Sequence, residues 1–190
     1  AISVVRPDAA GIGGGGFMVI HLADDPRHGT HSIAINYRET SPAAIGPMTF
    51  ADLNDPAASR RGGLAVGVPG TVKGLLHALE TYGTLDRATV FAPAIELAED
   101  GFAADRHHVD TARSLLAYFD DPSRRAAYPL VWDRLMRRGT IELGDRITLP
   151  GQAQALRLIV QDGADAFYRG PIAGPSRTRS CARSRTQAGC

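Results

Sequence analysis

The sequence predicts an α+β fold on three observations. Two β-rich apolar runs stand near the start, apolar residues recur at three- and four-residue steps further on, and Gly, Pro, Asn and Asp punctuate the chain between them. Strands come first and helices come after them, an order that belongs to α+β chains and not to βαβ repeats. The chain has 190 residues, 44% of them hydrophobic and 22% charged, which is enough for one domain with a real core. No internal repeat is visible. The strands are too few to close a sheet, so partner strands are expected from elsewhere in the protein.

The first element is the run Gly11-Ile12-Gly13-Gly14-Gly15-Gly16, which spells G-x-G-x-x-G with glycines at 11, 13 and 16. A dinucleotide site needs the last glycine to open a helix whose amides meet a pyrophosphate. Gly16 instead leads into Phe17-Met18-Val19-Ile20-His21-Leu22, bulky and β-branched, a run that predicts a strand. Turn residues at 23–29 lead to a second strand over 32–37, giving an antiparallel hairpin. Glu39 imitates the ribose-binding acid of a nucleotide fold only in its spacing. The glycines therefore predict a close-packed backbone turn feeding the hairpin.

Two prolines, Pro42 and Pro47, open an irregular segment that continues through Asp55-Pro56 and Arg60-Arg61-Gly62-Gly63. Leu64-Ala65-Val66-Gly67-Val68 is expected to be a third strand. Thr71 is the expected N-cap of the strongest helix, with Val72, Leu75, Leu76, Leu79 and Tyr82 on one face and Gly83 as its stop. A second helix is expected with Pro93 in its first turn and Gly101 at its end. Glu96, Glu99 and Asp100 belong to its exposed face. A weaker helix is expected over 109–119, mixed structure over 123–138 and a loop or short extended piece over 139–149. The last helix runs over 152–161, with Leu156, Ile159 and Val160 inward and Gly163 beyond it.

Charge excludes several classes of function. Residues 174–190 carry four arginines and no acid, so the rest holds 17 basic and 20 acidic residues, a net of −3. That body offers no basic surface for nucleic acid. Cys181 and Cys190 both sit in the tail and form neither a staple nor a zinc spacing. No apolar stretch approaches the roughly 18 residues of a membrane span. His107-His108 point apart on a helix and read as a solvated helix start, not a metal site. No G-x-S-x-G elbow is present.

Several segments together resemble the γ-glutamyltranspeptidase family. They are Gly11-Ile12-Gly13-Gly14-Gly15-Gly16-Phe17-Met18, Tyr37-Arg38-Glu39-Thr40-Ser41-Pro42, Gly67-Val68-Pro69-Gly70-Thr71-Val72, the stretch from Pro93 to Phe102, and Asp165-Ala166-Phe167-Tyr168-Arg169-Gly170-Pro171-Ile172-Ala173. The resemblance covers nearly all of residues 9–173. It implies an N-terminal nucleophile hydrolase, an αββα sandwich cut from one precursor into a large and a small subunit. The implied reaction moves the γ-glutamyl group of glutathione, or of a related amide, to water or to an amino acid or peptide acceptor. The implied nucleophile is the threonine at the start of the small subunit. This chain matches the front of the large subunit only, a fragment expected to be inactive by itself. Related cephalosporin acylases share the architecture.

The resemblance assigns Arg38 to the α-carboxylate of the γ-glutamyl substrate. A guanidinium offers a planar fork that pairs with a carboxylate bidentately. The residues alone leave open an ion pair instead, with Glu39 as a partner. No catalytic residue, metal or cofactor is expected in this chain. Cleavage at Gly29-Thr30 would free a threonine, whose amine can serve as base. It would also cut the hairpin, so Thr30-His31-Ser32 reads as a loop entering a strand. The family implies a periplasmic or extracellular location. Domain boundaries are expected at 1–173 for the family part and 174–190 for a basic tail that departs from it, consistent with a shifted reading frame.

Overall fold

The computed structural model describes residues 1–51, 53, 57–60 and 62–173. The expected tail and its two cysteines lie outside the described residues, as do Asp55-Pro56 and Arg61. In chain order the elements are α1 (Ile2–Val5), β1 (Phe17–Asp25), β2 (Gly29–Asn36), α2 (Thr71–Tyr82), α3 (Arg87–Glu99), β3 (Phe102–Ala103), α4 (Arg106–Ser114), α5 (Pro122–Ala127), β4 (Arg146–Ile147), α6 (Pro150–Asp162) and α7 (Ala164–Tyr168). Helices and strands are mixed, as the α+β reading expects. No described helix is long and apolar enough to cross a membrane. The described residues divide into two compact units, one of residues 1–10 and 88–157, the other within residues 11–87 and 158–173.

The first unit is mostly helical. Its buried side chains include Val4, Val109, Phe119, Met136, Ile147, Leu149 and Leu156. Burying a side chain of this size stabilises by about 1.5–3 kcal/mol. Phe119 stacks on Trp132 with centroids 5.5 Å apart, and the Arg125 guanidinium sits 4.5 Å from the centre of the same indole. β3 and β4 pair antiparallel over two residues each, Phe102 with Ile147 and Ala103 with Arg146. The expected extended piece within 139–149 is β4.

α3 departs from expectation. It begins at Arg87, more than a turn earlier than the position of Pro93 predicts, and Pro93 lies inside it. An interior proline forfeits one amide donor. Here its ring stays exposed, and Gly101 (φ +88°) ends the segment beyond it. The expected acidic face is exposed, with Glu99 ion-paired to Arg157. α4 begins at Arg106, capped by the Asp105 carboxylate accepting the His108 amide at 2.9 Å. His108 is not the solvated residue the sequence predicts. It is buried, and its Nε2 bonds the Leu135 carbonyl at 2.8 Å. His107 pairs with Asp8 at 2.7 Å. Among the described residues no cluster of His, Cys, Asp and Glu could hold a metal.

In the second unit, β1 and β2 form the predicted hairpin, pairing Phe17 with Asn36 and His21 with Ser32. The ladder slips between Leu22 and Asp25, where Asp24 takes a positive φ. Thr30 closes this bulge, accepting the Asp24 amide and donating to its carboxylate, both at 2.9 Å. Thr30 therefore sits inside β2, in the role of a structural hydroxyl. The turn also seals the end of α2. Arg27 donates to the carbonyls of Tyr82 and Gly83, and His28 bonds that of Thr81. These are the carbonyls a helix leaves without intrahelical partners.

Residues 64–68 do not form a strand. A 3₁₀ turn spans Gly63–Ala65, and among the described residues only Val68 pairs, in a single bridge with Thr40. α2 matches its predicted span, but its buried stripe is Val72, Gly74, Leu76 and Ala78, with Leu75 43% exposed. Thr71 is not its N-cap. That position is Gly70, and no side chain caps there. Gly83 stops the helix with extended backbone, not in the left-handed region. α6 ends as expected at Gly163, which does take a left-handed φ of +66°.

Candidate functional site

The glycine run reaches its purpose at the end of β2. Gly16 and Tyr37 exchange backbone hydrogen bonds at 3.4 and 3.0 Å, so the hairpin ladder continues one pair past its strands. A Cβ on Gly15 would lie 2.6 Å from the Glu39 amide nitrogen and 2.7 Å from the Tyr37 carbonyl oxygen. None of the glycines at 11–16 has a positive φ. They are required for close approach, not for handedness. The strand after Gly16 confirms that the nucleotide spelling has no helix to serve.

The start of α2 presses on the same segment. A Cβ on Gly70 would stand 1.9 Å from the Tyr37 carbonyl oxygen, and one on Gly74 would stand 2.3 Å from the Tyr37 Cβ. Gly67 is similarly tight against the Glu39 side chain. The first-turn amides of α2, orphaned in any helix, find partners in this packing. The Gly14 carbonyl accepts from both Gly70 and Thr71 at 2.9 Å, which is why a side-chain cap is not needed. The Tyr168 hydroxyl accepts the Lys73 amide at 3.2 Å and donates to the Pro69 carbonyl at 2.9 Å. Burial pushes the Tyr168 phenol up from its ordinary value. Tyr37-Arg38-Glu39 is thus clamped on its backbone by residues far apart in sequence.

Arg38 projects from that clamp. Its backbone amide donates to the Asn36 Oδ1 at 3.0 Å. Its guanidinium has no hydrogen bond or ion pair among the described residues, so the expected alternative, a pair with Glu39, is not formed. The guanidinium carbon lies 6.0 Å from the centre of the Phe17 ring. Arg38 is exposed and lines a cleft of about 390 Å³ with Glu39, Thr40, Phe50, Leu64 and Val66. An unpaired guanidinium on a rigid backbone beside a partly apolar cleft can take a carboxylate through two parallel N–H donors. A second cleft, of about 670 Å³, is lined by Tyr37, Lys73, His77, Asp165 and Tyr168 and does not include Arg38.

Sequence reasoning singled out Arg38 and the glycines, but not the contacts that Asn36, Phe17 and Tyr168 make around this segment. The first two could have been found from the hairpin register, which sets Phe17 opposite Asn36 and two residues short of Arg38. Tyr168 carries no signal on its own element that it serves α2.

Comparison with known proteins bears on the same residues. The sequence profile of the gamma-glutamyltranspeptidase family matches residues 1–175. The chain is 38% identical over 178 residues to a glutathione hydrolase proenzyme of Pseudomonas sp. (strain A14), covering 91% of this chain and 29% of that protein. It is 34% identical over 179 residues to the glutathione hydrolase proenzyme of Escherichia coli (strain K12), again covering 91% and 29%. Among solved structures it resembles the γ-glutamyltranspeptidase of Helicobacter pylori with a TM-score of 0.79 and 32% identity, over 94% of this chain and 49% of that one. A cephalosporin acylase from Bacillus halodurans shares the fold, with a TM-score of 0.76 at 22% identity over 94% of this chain and 32% of that one. The chain spans under a third of the length of these two curated relatives. Profile, relatives and fold agree: the chain belongs to the γ-glutamyltranspeptidase family.

Proposed function

We propose that the full-length protein transfers γ-glutamyl groups from glutathione or a related amide to water or an amino acceptor, and that Arg38 binds the donor's α-carboxylate. The observation that carries this reading is the guanidinium of Arg38, unpaired among the described residues and held by a clamped backbone in the lining of a cleft. Two N–H donors on a planar fork fix both the position and the orientation of a carboxylate. Fixing the donor at that end orients the γ-amide carbon for attack.

In this reading the attacking group is the threonine hydroxyl at the N-terminus of a small subunit cut from the same precursor. Its own α-amino group takes the proton, the donor's amine leaves, and the resulting ester is resolved by water or by an amino acid or peptide acceptor. This chain contributes binding and orientation to those steps. The proenzyme names of the relatives support a precursor that is cut. The hairpin would form part of an αββα sandwich. Its support is the likeness in fold to the γ-glutamyltranspeptidase of Helicobacter pylori. We assign residues 1–173 to the family domain and treat 174–190 as a separate basic tail, a division supported by a family match that stops at 175. A periplasmic or extracellular location belongs to the same reading.

The test is release of p-nitroaniline from γ-glutamyl-p-nitroanilide by the full-length protein. Turnover that depends on Arg38 is expected. Absence of turnover in the unaltered protein would sink the acyl-transfer reading.

A further inference from the structure

We infer that Phe17 is a positioning residue for Arg38, presenting the guanidinium to the donor carboxylate by holding it over the face of its ring. The inference rests on the reading of Arg38 as the carboxylate-binding residue and goes beyond it by naming what orients that side chain.

Three observations carry it. Phe17 pairs with Asn36 across the hairpin, which puts the ring on the strand face that Arg38 shares two residues further on. The Arg38 guanidinium carbon stands 6.0 Å from the ring centre, at the outer end of the range for attraction between a cation and an aromatic face. Phe17 itself is 63% exposed, so the ring does little for the core of its unit. A large aromatic side chain that buries so little, yet lies near a cation with no carboxylate partner among the described residues, is placed for that cation.

The chemistry suits the geometry. A guanidinium lying against a ring keeps its edge free, and the edge carries the N–H donors that meet a carboxylate. Arginine also has several rotatable bonds, and ordering them on binding costs free energy. A ring that orders them beforehand removes part of that cost. The Asn36 Oδ1 fixes the other end of the residue, accepting the Arg38 amide at 3.0 Å. Backbone and head are thereby held by two residues that face each other across the hairpin.

The experiment uses the full-length protein and two competing ligands, glutamate and 4-aminobutanoate, which differ only in the α-carboxylate. The ratio of their inhibition constants against γ-glutamyl-p-nitroanilide reads the carboxylate contact alone. Phe17→Leu should narrow that ratio about two- to fivefold, the fold-change equivalent of a partly exposed cation–ring contact. Phe17→Tyr, which keeps an aromatic face, should restore it. Arg38→Ala should abolish it. A ratio that Phe17→Leu leaves unchanged while Arg38→Ala collapses it overturns the role of Phe17 and leaves that of Arg38 standing. A ratio indifferent to Arg38→Ala overturns both. If Phe17→Leu and Phe17→Tyr shift both ligands equally, the residue is structural only and the inference fails.

Discussion

The unit of residues 1–10 and 88–157 buries many of its large apolar side chains, although Ile2, Leu130 and Leu143 stay exposed, whereas the unit that carries Arg38 buries few. Phe119, Met136, Ile147 and Leu156 are all at most 3% exposed in the first. In the second, Phe17, Val19, Met48 and Val66 are each at least half exposed, and among the described residues those buried and larger than alanine are Val72, Leu76 and Ile159. The second unit compensates with backbone packing. Glycines at 15, 70 and 74 leave no room for a Cβ against Tyr37 or Glu39. The first leans on side-chain volume, the second on glycine backbone pressed against the main chain and side chains of Tyr37 and Glu39. The difference teaches that Arg38 is fixed through its backbone, while the surface around it stays free to meet other groups.

That contrast can be broken by substitution. Phe119→Ala should cost about 3–5 kcal/mol, because an enclosed aromatic leaves a cavity, while Phe17→Ala should change stability by less than about 0.5 kcal/mol. Urea unfolding of both variants reads the difference, and equal losses would erase the distinction between the units. Gly70→Ala should cost about 3 kcal/mol, since its Cβ would overlap a carbonyl oxygen that has no rotamer to escape through. Gly13 has nothing within 4 Å of an added Cβ, so Gly13→Ala should be neutral or slightly stabilising. The same two-point comparison of melting temperatures separates close approach from mere glycine content.

Smaller effects sharpen the picture. Arg27→Ala removes the donor to the last carbonyls of α2 and should cost about 0.5 kcal/mol, with faster amide exchange near Tyr82 as the local signature. Acid should act on the other unit through Asp105 and Asp8. Hydrogen bonds from Arg6 and from the His108 amide hold the Asp105 carboxyl well below its ordinary value of 3.8, and the hydrogen bond to His107 lowers that of Asp8. A carboxyl whose folded-state pKa is depressed contributes its stability above the ordinary value and loses it as the pH falls through the depressed one. Stability measured from pH 6 downward should therefore hold to about pH 4 and then decline. Asp105→Asn should flatten that decline.

Much of this arrangement was legible in the sequence, for local reasons. The hairpin, α2 and α6 follow from periodicities that need no distant partner, and Arg38 stands where a strand gives way to a loop. The misreadings share a cause. Pro93 looked like a helix start because its exposed position in the middle of α3 depends on packing, not on neighbours in sequence. β3 and β4 are two residues each, too short to show a period. Residues 64–68 have strand composition, yet among the described residues they find one bridge, that of Val68 to Thr40. The burial of His108 depends on a carbonyl 27 residues away. The glycine run spelled one motif and served another because its meaning lies in what it touches, the backbone of Tyr37 and Glu39.

The central claim is that Arg38 grips the donor's α-carboxylate. The most direct measurement is the Michaelis constant for γ-glutamyl-p-nitroanilide in the full-length protein and in its Arg38→Ala form. Loss of a bidentate, charge-assisted pair worth about 1.5–3 kcal/mol predicts a rise of roughly 10- to 150-fold in that constant. Arg38→Lys should fall between, since a point charge replaces a fork. An unchanged constant in Arg38→Ala would contradict the account.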